Sequence, residues 1–228
     1  MNLEKQIYHR KSCRKYLEDE IDMDLIHEAM SKVKPLNDVS YHYEILTPDK
    51  INNRARFSAP YYLALYTDKK ENHINIGFIF EQLCLYLQSI GIGNCWVGLA
   101  SPKKKSPDFV ITIAFGKSND CTRDISSFKR KKLDEISDFA DERLIPAQLS
   151  PSAINAQPWY FKHSDEGFDV YQTKQNIIKR QFIKKWNPID VGIALAHIYV
   201  ANEDTFEFYK KSDFEDIKDH TYIGSIKI

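Results

Sequence analysis

Two apolar segments that look like buried helices constrain the fold of this chain more than any other feature. The first reads INIGFIFEQLCLYL (74–87) and the second reads IDVGIALAHIYVA (189–201). Each is apolar over most of a helical surface, which is typical of a helix covered on all sides. Each also opens with Ile, then Asn or Asp, then Ile or Val, then Gly. Gly77 and Gly192 lie 115 positions apart (192 − 77).

The same offset relates two further pairs of segments. It carries the predicted strand at 43–45 onto 158–160, next to another predicted strand, and the loop at 35–37 onto the loop at 150–152. One register that relates three elements indicates an internal duplication. The alternative is a chance similarity between two amphipathic helices. We therefore divide the chain into a first half (1–138) and a shorter second half (139–228).

The remaining elements predict an α+β protein. Short helices are expected at 3–9 and 22–34, and a tight turn is expected at the glycines of GIGNCWVGL (91–99). Strands are predicted at 43–46, 61–67, 110–116, 159–162, 168–172, 205–210 and, as an edge strand, 221–228. Helices and strands do not alternate as they do in a doubly wound sheet. We expect a mixed or antiparallel sheet packed on long central helices.

Composition excludes several classes of protein. The 228 residues include 32 Lys and Arg and 32 Asp and Glu, a balance that argues against nucleic-acid and membrane-surface partners. No apolar run reaches membrane-spanning length, and the N-terminal residues lack the apolar core of a signal peptide. The four cysteines form no CxxC pair, which favours reduced core residues over disulfides or a metal site. These features predict a soluble cytoplasmic protein.

Two basic stretches are candidate anion sites. RKSCR places Arg10, Lys11, Ser12 and Arg14 within five residues, and guanidinium groups bind phosphate with paired donors. FKRKK (128–132) is a second basic stretch. The alternative for each is a solvated group of surface charges.

A third motif, SPSAINAQPW (150–159), is the most distinctive. Pro151 and Pro158 stiffen the loop, while its Ser, Asn and Gln side chains offer both donors and acceptors. Such a loop suits a flat heteroaromatic ligand; the alternative is a turn whose polar groups satisfy one another. GIGNCWVGL is not a dinucleotide fingerprint, because Trp96 stands where a third glycine is required.

Together RKSCR, SPSAINAQPW, GIGNCWVGL, VITIAFG (110–116) and RKKLDE (130–135) resemble motifs of the nitroreductase family of FMN-dependent oxidoreductases. The order of the motifs differs from that of the family, in which the loop that corresponds to SPSAINAQPW (the Pro-Ser loop) precedes the long helix. Family members are homodimers in which one subunit supplies the arginines and the other supplies this loop. The late position of the loop resembles the single-chain branch, in which two halves are fused into a pseudo-dimer.

The resemblance implies a role for each motif. Arg10, Ser12 and Arg14, helped by Lys11, are expected to bind the FMN phosphate and ribityl chain. Arg130 is expected to reach the same phosphate, with Lys129 or Lys132 as substitutes. The flavin ring is expected to lie along the loop and the end of GIGNCWVGL. The residues involved are Ser150, Pro151 and Ser152 along the ring, Asn155 and Gln157 at its edge or bracing the loop, and the backbone of Trp96, Val97, Gly98 and Leu99.

The implied activity is that of an FMN-dependent NAD(P)H oxidoreductase, a nitroreductase-like enzyme. NAD(P)H and then a nitroaromatic, quinone or similar small acceptor would use one pocket in ping-pong order. One FMN per chain is expected between the halves, in a monomer, with no catalytic side chain and no metal site. Two alternatives stay open: a flavin-binding protein for storage or sensing, favoured by His42 and Tyr43 narrowing the acceptor pocket, and an interaction protein without flavin.

Overall fold

The computed structural model describes residues 3–175 and 183–228. The helices of this part are α1 (Glu4–Ile7), α2 (Asp24–Met30), α3 (His73–Ser89), α4 (Leu133–Ile136), α5 (Ile145–Leu149) and α6 (Asn187–Ala201). The strands are β1 (His42–Leu46), β2 (Ile51–Asn53), β3 (Tyr61–Tyr66), β4 (Ile92–Val97), β5 (Ala100–Pro102), β6 (Phe109–Lys117), β7 (Trp159–Ser164), β8 (Gly167–Thr173), β9 (Glu207–Tyr209) and β10 (His220–Lys227).

The strands form two four-stranded sheets with the same order of connections. The first sheet has the order β1-β3-β6-β4 and the second has the order β7-β8-β10-β9. In each sheet the last strand in the chain lies between the second and the third, and a long helix joins the second strand to the third. All pairings within these sheets are antiparallel. β2 and β5 form a separate two-stranded ribbon.

The two long helices, α3 and α6, pack directly against each other at Gly77 and Gly192. A Cβ atom built on Gly77 would lie 2.0 Å from the carbonyl oxygen of Ile189, and one on Gly192 would lie 1.9 Å from that of Ile74. Only glycine permits so close an approach. The contact is reciprocal, since each helix places a glycine against an isoleucine carbonyl of the other helix. A shift of 115 positions relates the two glycines and also the two isoleucines.

Each long helix also covers one sheet. Side chains of α3 pack with first-sheet residues such as Leu63 and Ile113, and side chains of α6 pack with second-sheet residues such as Phe161 and Val170. Burial on both sides explains why the two helices are apolar nearly all round. Ile136 belongs to the second of these cores, although the sequence-based division puts it in the first half.

One prediction about local structure is wrong. β10 is an inner strand, not an edge strand: it pairs with β8 on one side and β9 on the other. The alternation of apolar and polar side chains in β10 indicates which face of the strand is buried. It does not indicate how many neighbouring strands pair with β10, because backbone groups make those hydrogen bonds. The predicted turn at the glycines of GIGNCWVGL is confirmed at two of them: Gly91, whose φ is 79°, lies in the turn before β4, and Gly98 lies with Leu99 in the turn between β4 and β5. Gly93 lies within β4, where a Cβ would meet the Cys13 sulfur at 2.6 Å.

None of the helices in the described ranges combines the length and hydropathy needed to cross a membrane. All four cysteines are buried and free, as the sequence predicts.

Candidate functional site

The RKSCR segment runs beside β4, where the Cys13 backbone nitrogen donates to the Asn94 carbonyl at 2.9 Å. Arg10, Ser12 and Arg14 all act on the buried Cys95 thiol of β4: burial raises the pKa of Cys95, and Arg14, Arg10 and a hydrogen bond from Ser12 partly offset this. Lys11 instead pairs with Asp120. The structure therefore brings Arg10, Ser12 and Arg14 together and leaves Lys11 outside the group.

Arg10 turns inward and is only 1% exposed. Its Nε lies 3.4 Å from Oε1 of Glu81, a fully buried carboxylate on α3. Glu81 also accepts a hydrogen bond from Trp96 Nε1 (2.7 Å), and its Oε1 lies 3.0 Å from His197 Nε2 on α6. Burial alone would raise the pKa of Glu81, but the Arg10 charge and these hydrogen bonds lower it, so the carboxylate is ionised.

Two further arginines join Arg10, and we call Arg10, Arg123 and Arg130 the arginine cluster. Burial and the charge of Arg10 lower the pKa of Arg123 to about 10. Burial, Arg123 and Arg10 lower the pKa of Arg130 to about 10 as well. The guanidinium carbons of Arg123 and Arg130 lie 3.6 and 5.6 Å from the centre of the Phe128 ring. Contacts with the Phe128 ring hold Arg123 and Arg130 close together although their positive charges repel each other.

Several donors of this cluster are unused. Nη2 of Arg10 and Nε of Arg130 are buried and have no hydrogen-bond partner among the residues that the structure describes. A buried donor without a partner costs free energy that a bound anion would recover. Three guanidinium groups facing one another are therefore arranged to hold a multiply charged anion such as a phosphate.

The Ser150–Gln157 loop lies next to this cluster. Arg130 Nη1 donates a hydrogen bond to Asn155 Oδ1 at 2.7 Å, and Asn155 Nδ2 donates to the Lys129 carbonyl at 2.9 Å. Gln157 Oε1 accepts from the backbone nitrogen of Lys131 at 2.9 Å. The Asn155 and Gln157 side chains thus brace the loop against the basic stretch, which is one of the two roles expected for them.

The backbone of the loop is unusual. Ile154, Asn155 and Gln157 have φ values of 47°, 58° and 47°, in the left-handed region that a β-branched residue such as Ile rarely adopts. Strained backbone of this kind is concentrated at functional sites. The Ile154 side chain is also 68% exposed, although it is large and apolar.

Hydrogen bonds from neighbouring groups hold this conformation. Both carboxylate oxygens of Asp190, on α6, lie 3.1 Å from the backbone nitrogen of Ala153. Ser152 Oγ accepts from the Gln157 backbone nitrogen at 2.9 Å. The fully buried Ser150 donates to the Ala147 carbonyl at 2.7 Å, and Pro151 follows it half-buried.

The segment from Trp96 to Leu99 borders a cavity of about 1600 Å³. Gly98 and Leu99 line this cavity, whereas Trp96 and Val97 lie behind them in β4. The ring of Trp186 packs on Gly98, where an added Cβ would come within 2.3 Å of Trp186 Cζ2. The predicted site residues thus form two groups, one at the arginine cluster and loop and one at the cavity.

Five residues of this region are not predicted from the sequence as site residues. They are Glu81, Arg123, Trp186, Asp190 and His197. Two signals were present: Glu81 and His197 interrupt otherwise apolar helices, and Asp190 occupies the position of Asn75 after the shift of 115 residues. Arg123 and Trp186 carry no such signal.

Comparison with protein families decides the relationship. A family model described as "Putative TM nitroreductase" matches residues 2–202. The chain belongs to this nitroreductase family. A search of curated proteins gives no significant match.

Solved structures show that the nitroreductase fold is shared. A crystal structure of a "putative nitroreductase" from Thermotoga maritima is 21% identical, covers 93% of this chain and 91% of its own, and has a TM-score of 0.64. A family protein from Clostridium novyi is 18% identical over 53% of this chain and 88% of its own, with a TM-score of 0.45. An FMN complex from Desulfovibrio desulfuricans is 16% identical over 61% of this chain and 96% of its own, with a TM-score of 0.43. The last two are too distant to support an argument about this chain.

Proposed function

We propose that this nitroreductase family member is an FMN-dependent NAD(P)H oxidoreductase. It would pass a hydride in ping-pong order to a nitroaromatic, a quinone or a similar small acceptor. The observation that carries the proposal is the arginine cluster, with unused buried donors, directly beside the Ser150–Gln157 loop.

The residues present fit FMN. Its phosphate is a multiply charged anion, and the unpartnered nitrogens of Arg10 and Arg130 are donors that a bound phosphate would satisfy. Ser12 and Arg14, which like Arg10 lie close to the Cys95 thiol, would extend the phosphate site. Bound FMN supplies hydride chemistry, and the protein supplies position and electrostatics.

The rest of the site would hold the ring. Pro151 and Ser152 come from the loop that Arg130 braces, Ser150 anchors that loop from its fully buried position, and Trp96 to Leu99 supply backbone at the cavity. The ionised Glu81 links Arg10 to Trp96, so that the phosphate end and the ring end of the site share one buried support.

We further propose that the two halves are fused copies of one ancestral unit. The equal strand orders of the two sheets and the reciprocal glycine contact between α3 and α6 support this. Only the first half contains RKSCR and only the second contains the SPSAINAQPW loop, so one FMN per chain is expected. The four buried free cysteines agree with a cytoplasmic enzyme.

The storage or sensing alternative rested on His42 and Tyr43. Both lie in β1, where His42 stacks on Tyr66 and Tyr43 packs edge-on against Phe80. Neither lines the cavity beside Gly98. No observation in the described residues therefore favours this alternative.

The visible absorption spectrum of the purified protein is the first test. We expect a flavin spectrum, either as isolated or after incubation with FMN, and release of one FMN per chain on denaturation. NAD(P)H oxidation should then depend on an added nitroaromatic or quinone.

The outcomes separate the candidate functions. Bound FMN without acceptor-dependent turnover would support storage or sensing. Failure to bind FMN in excess would leave an interaction protein that uses the nitroreductase fold.

A further inference from the structure

The cavity beside Gly98 is lined by positive charge. Five cationic side chains, all exposed, stand around its 1600 Å³. They are Arg54, Lys70, Lys105, Lys184 and Lys185. His73 also lines the cavity, but burial, reinforced by Lys70, lowers its pKa, so it is neutral at pH 7.

No acidic side chain balances these cations at the cavity. The described lining contains no Asp or Glu, and within the described ranges none of the five cations forms a salt bridge. The chain as a whole is neutral, so this is a local concentration of positive charge. A cleft of one sign raises the local concentration of ligands of the opposite sign.

The cavity also offers a flat apolar surface. The Trp186 ring, seated on Gly98, lies beside Leu99, which is 58% exposed. Val110 and Ile111 of β6 continue the apolar lining. Lys185 Nζ lies 4.6 Å from the centre of the Trp186 ring, so a planar ligand that stacks on this ring would take the place of the ammonium group. Convergent charges around an apolar surface are typical of small-molecule sites.

From these features we infer that the cavity selects planar, negatively charged molecules. Its ligands would be aromatic or conjugated compounds that carry phosphate or carboxylate groups, stacked on Trp186 and held by the surrounding cations. Binding of such a ligand does not depend on the proposed function. Its use as a substrate does rest on the proposed function, and in that case the enzyme would prefer anionic acceptors to neutral acceptors of the same shape.

Binding of ADP to the full-length protein tests the site without any flavin chemistry. Isothermal titration would compare the wild type with Lys70→Gln/Lys105→Gln/Lys184→Gln. A matched control, Lys210→Gln/Lys218→Gln/Lys227→Gln, removes the same charge from exposed positions at the second sheet. We expect the cavity variant to weaken ADP binding about tenfold or more, since charge-assisted contacts are lost, and the control to leave it unchanged.

The fluorescence of Trp186 provides a further readout. Trp186→Phe should remove most of the fluorescence change that ADP causes. Equal weakening in both triple variants, or no saturable ADP binding, would each overturn the inference.

Turnover tests the link to function with two acceptors of nearly equal shape. The wild-type enzyme loaded with FMN should prefer para-nitrobenzoate to the neutral para-nitrobenzamide in kcat/KM, and the cavity variant should lose that preference. An equal kcat/KM for both acceptors would contradict the assignment to a substrate. Loss of turnover with ADP binding retained would instead count against the proposed function alone.

Discussion

At the scale of single residues, Asp190 ties the Ser150–Gln157 loop to the central helices. Its carboxyl group is buried and meets one donor, the backbone nitrogen of Ala153. Burial, and then the charge of Glu81, raise the pKa of Asp190 well above its usual range, and the Ala153 hydrogen bond only partly opposes this. In the first half Asn75 stands 115 positions earlier, and its Oδ1 accepts from the Leu36 backbone nitrogen at 2.8 Å. A neutral amide therefore makes the same kind of contact.

Asp190→Asn should stabilise the protein at neutral pH. A carboxyl whose pKa is raised by folding contributes stability below its unfolded value of about 3.9 and loses it as pH rises toward the raised value. The amide has no such loss, and each unit of pKa shift corresponds to about 1.4 kcal/mol. Urea unfolding at pH 4 should give similar free energies for both proteins, and at pH 8 the variant should be more stable. A difference that does not change with pH would contradict the prediction.

Arg130→Gln should weaken FMN binding. The charge-assisted hydrogen bonds that it removes are worth about 1.5–3 kcal/mol, or roughly a tenfold to hundredfold change in affinity. Lys132→Gln is the matched control, because Lys132 is exposed and lies two residues away. Quenching of FMN fluorescence on binding gives both dissociation constants. Equal effects in the two variants would mean that the basic stretch acts only through its net charge.

At the scale of secondary-structure elements, the contact between α3 and α6 determines the arrangement of the molecule. Gly77 and Gly192 each face a backbone carbonyl of the other helix. A backbone carbonyl cannot swing aside as a long side chain can. The two helices are therefore held at one separation and one register.

Gly77→Ala and Gly192→Ala should each destabilise the protein. Alanine favours an isolated helix by about 1 kcal/mol, but overpacking costs about 1–3 kcal/mol, and here the collision is with backbone. We expect a net loss near the upper end of that range in urea unfolding. Once one substitution has pushed the helices apart, the second should cost less, so the double variant should lose less than the sum. Strict additivity would show that the two contacts are independent.

The sequence predicts the helices and strands of this fold better than it predicts their arrangement. α3, α6, β3 and β6 are buried, and burial leaves a direct apolar pattern. The place of β10 inside its sheet depends on backbone pairing with two other strands, which side-chain alternation does not report. In GIGNCWVGL, Gly91 and Gly98 lie in turns, but Gly93 lies inside β4 and makes room for Cys13, a tertiary contact that the local sequence does not report.

For the candidate site, too, the sequence predicts the local motifs but not the contacts between distant residues. RKSCR and the Pro-Ser loop are local motifs, so their positions are visible in the sequence. Arg123 is an isolated cation in CTRD, and it joins the cluster only because Arg10 pairs with Thr122 as an isolated β-bridge. Contacts of this kind, made across more than a hundred residues, leave no local pattern.

At the scale of the whole molecule, the arginines and the Pro-Ser loop meet within one chain. Arg130 and Asn155 are hydrogen-bonded to each other, so no second chain is needed to bring the two parts of the site together. We therefore expect a monomer of 26.7 kDa that binds one FMN. Size-exclusion chromatography with light scattering, before and after FMN is added, measures this. An obligate dimer that carries its flavin between chains would contradict the fused-halves proposal.

The seam between α3 and α6 also has a consequence for engineering. Substitutions at this helix contact disturb both halves at once, because each glycine packs against the backbone of the opposite helix. The cationic cavity wall, by contrast, is built from exposed side chains outside the main cores. A mutant library aimed at new acceptors should vary that wall and leave the seam untouched, since the property to be changed and the packing to be preserved reside in different residues.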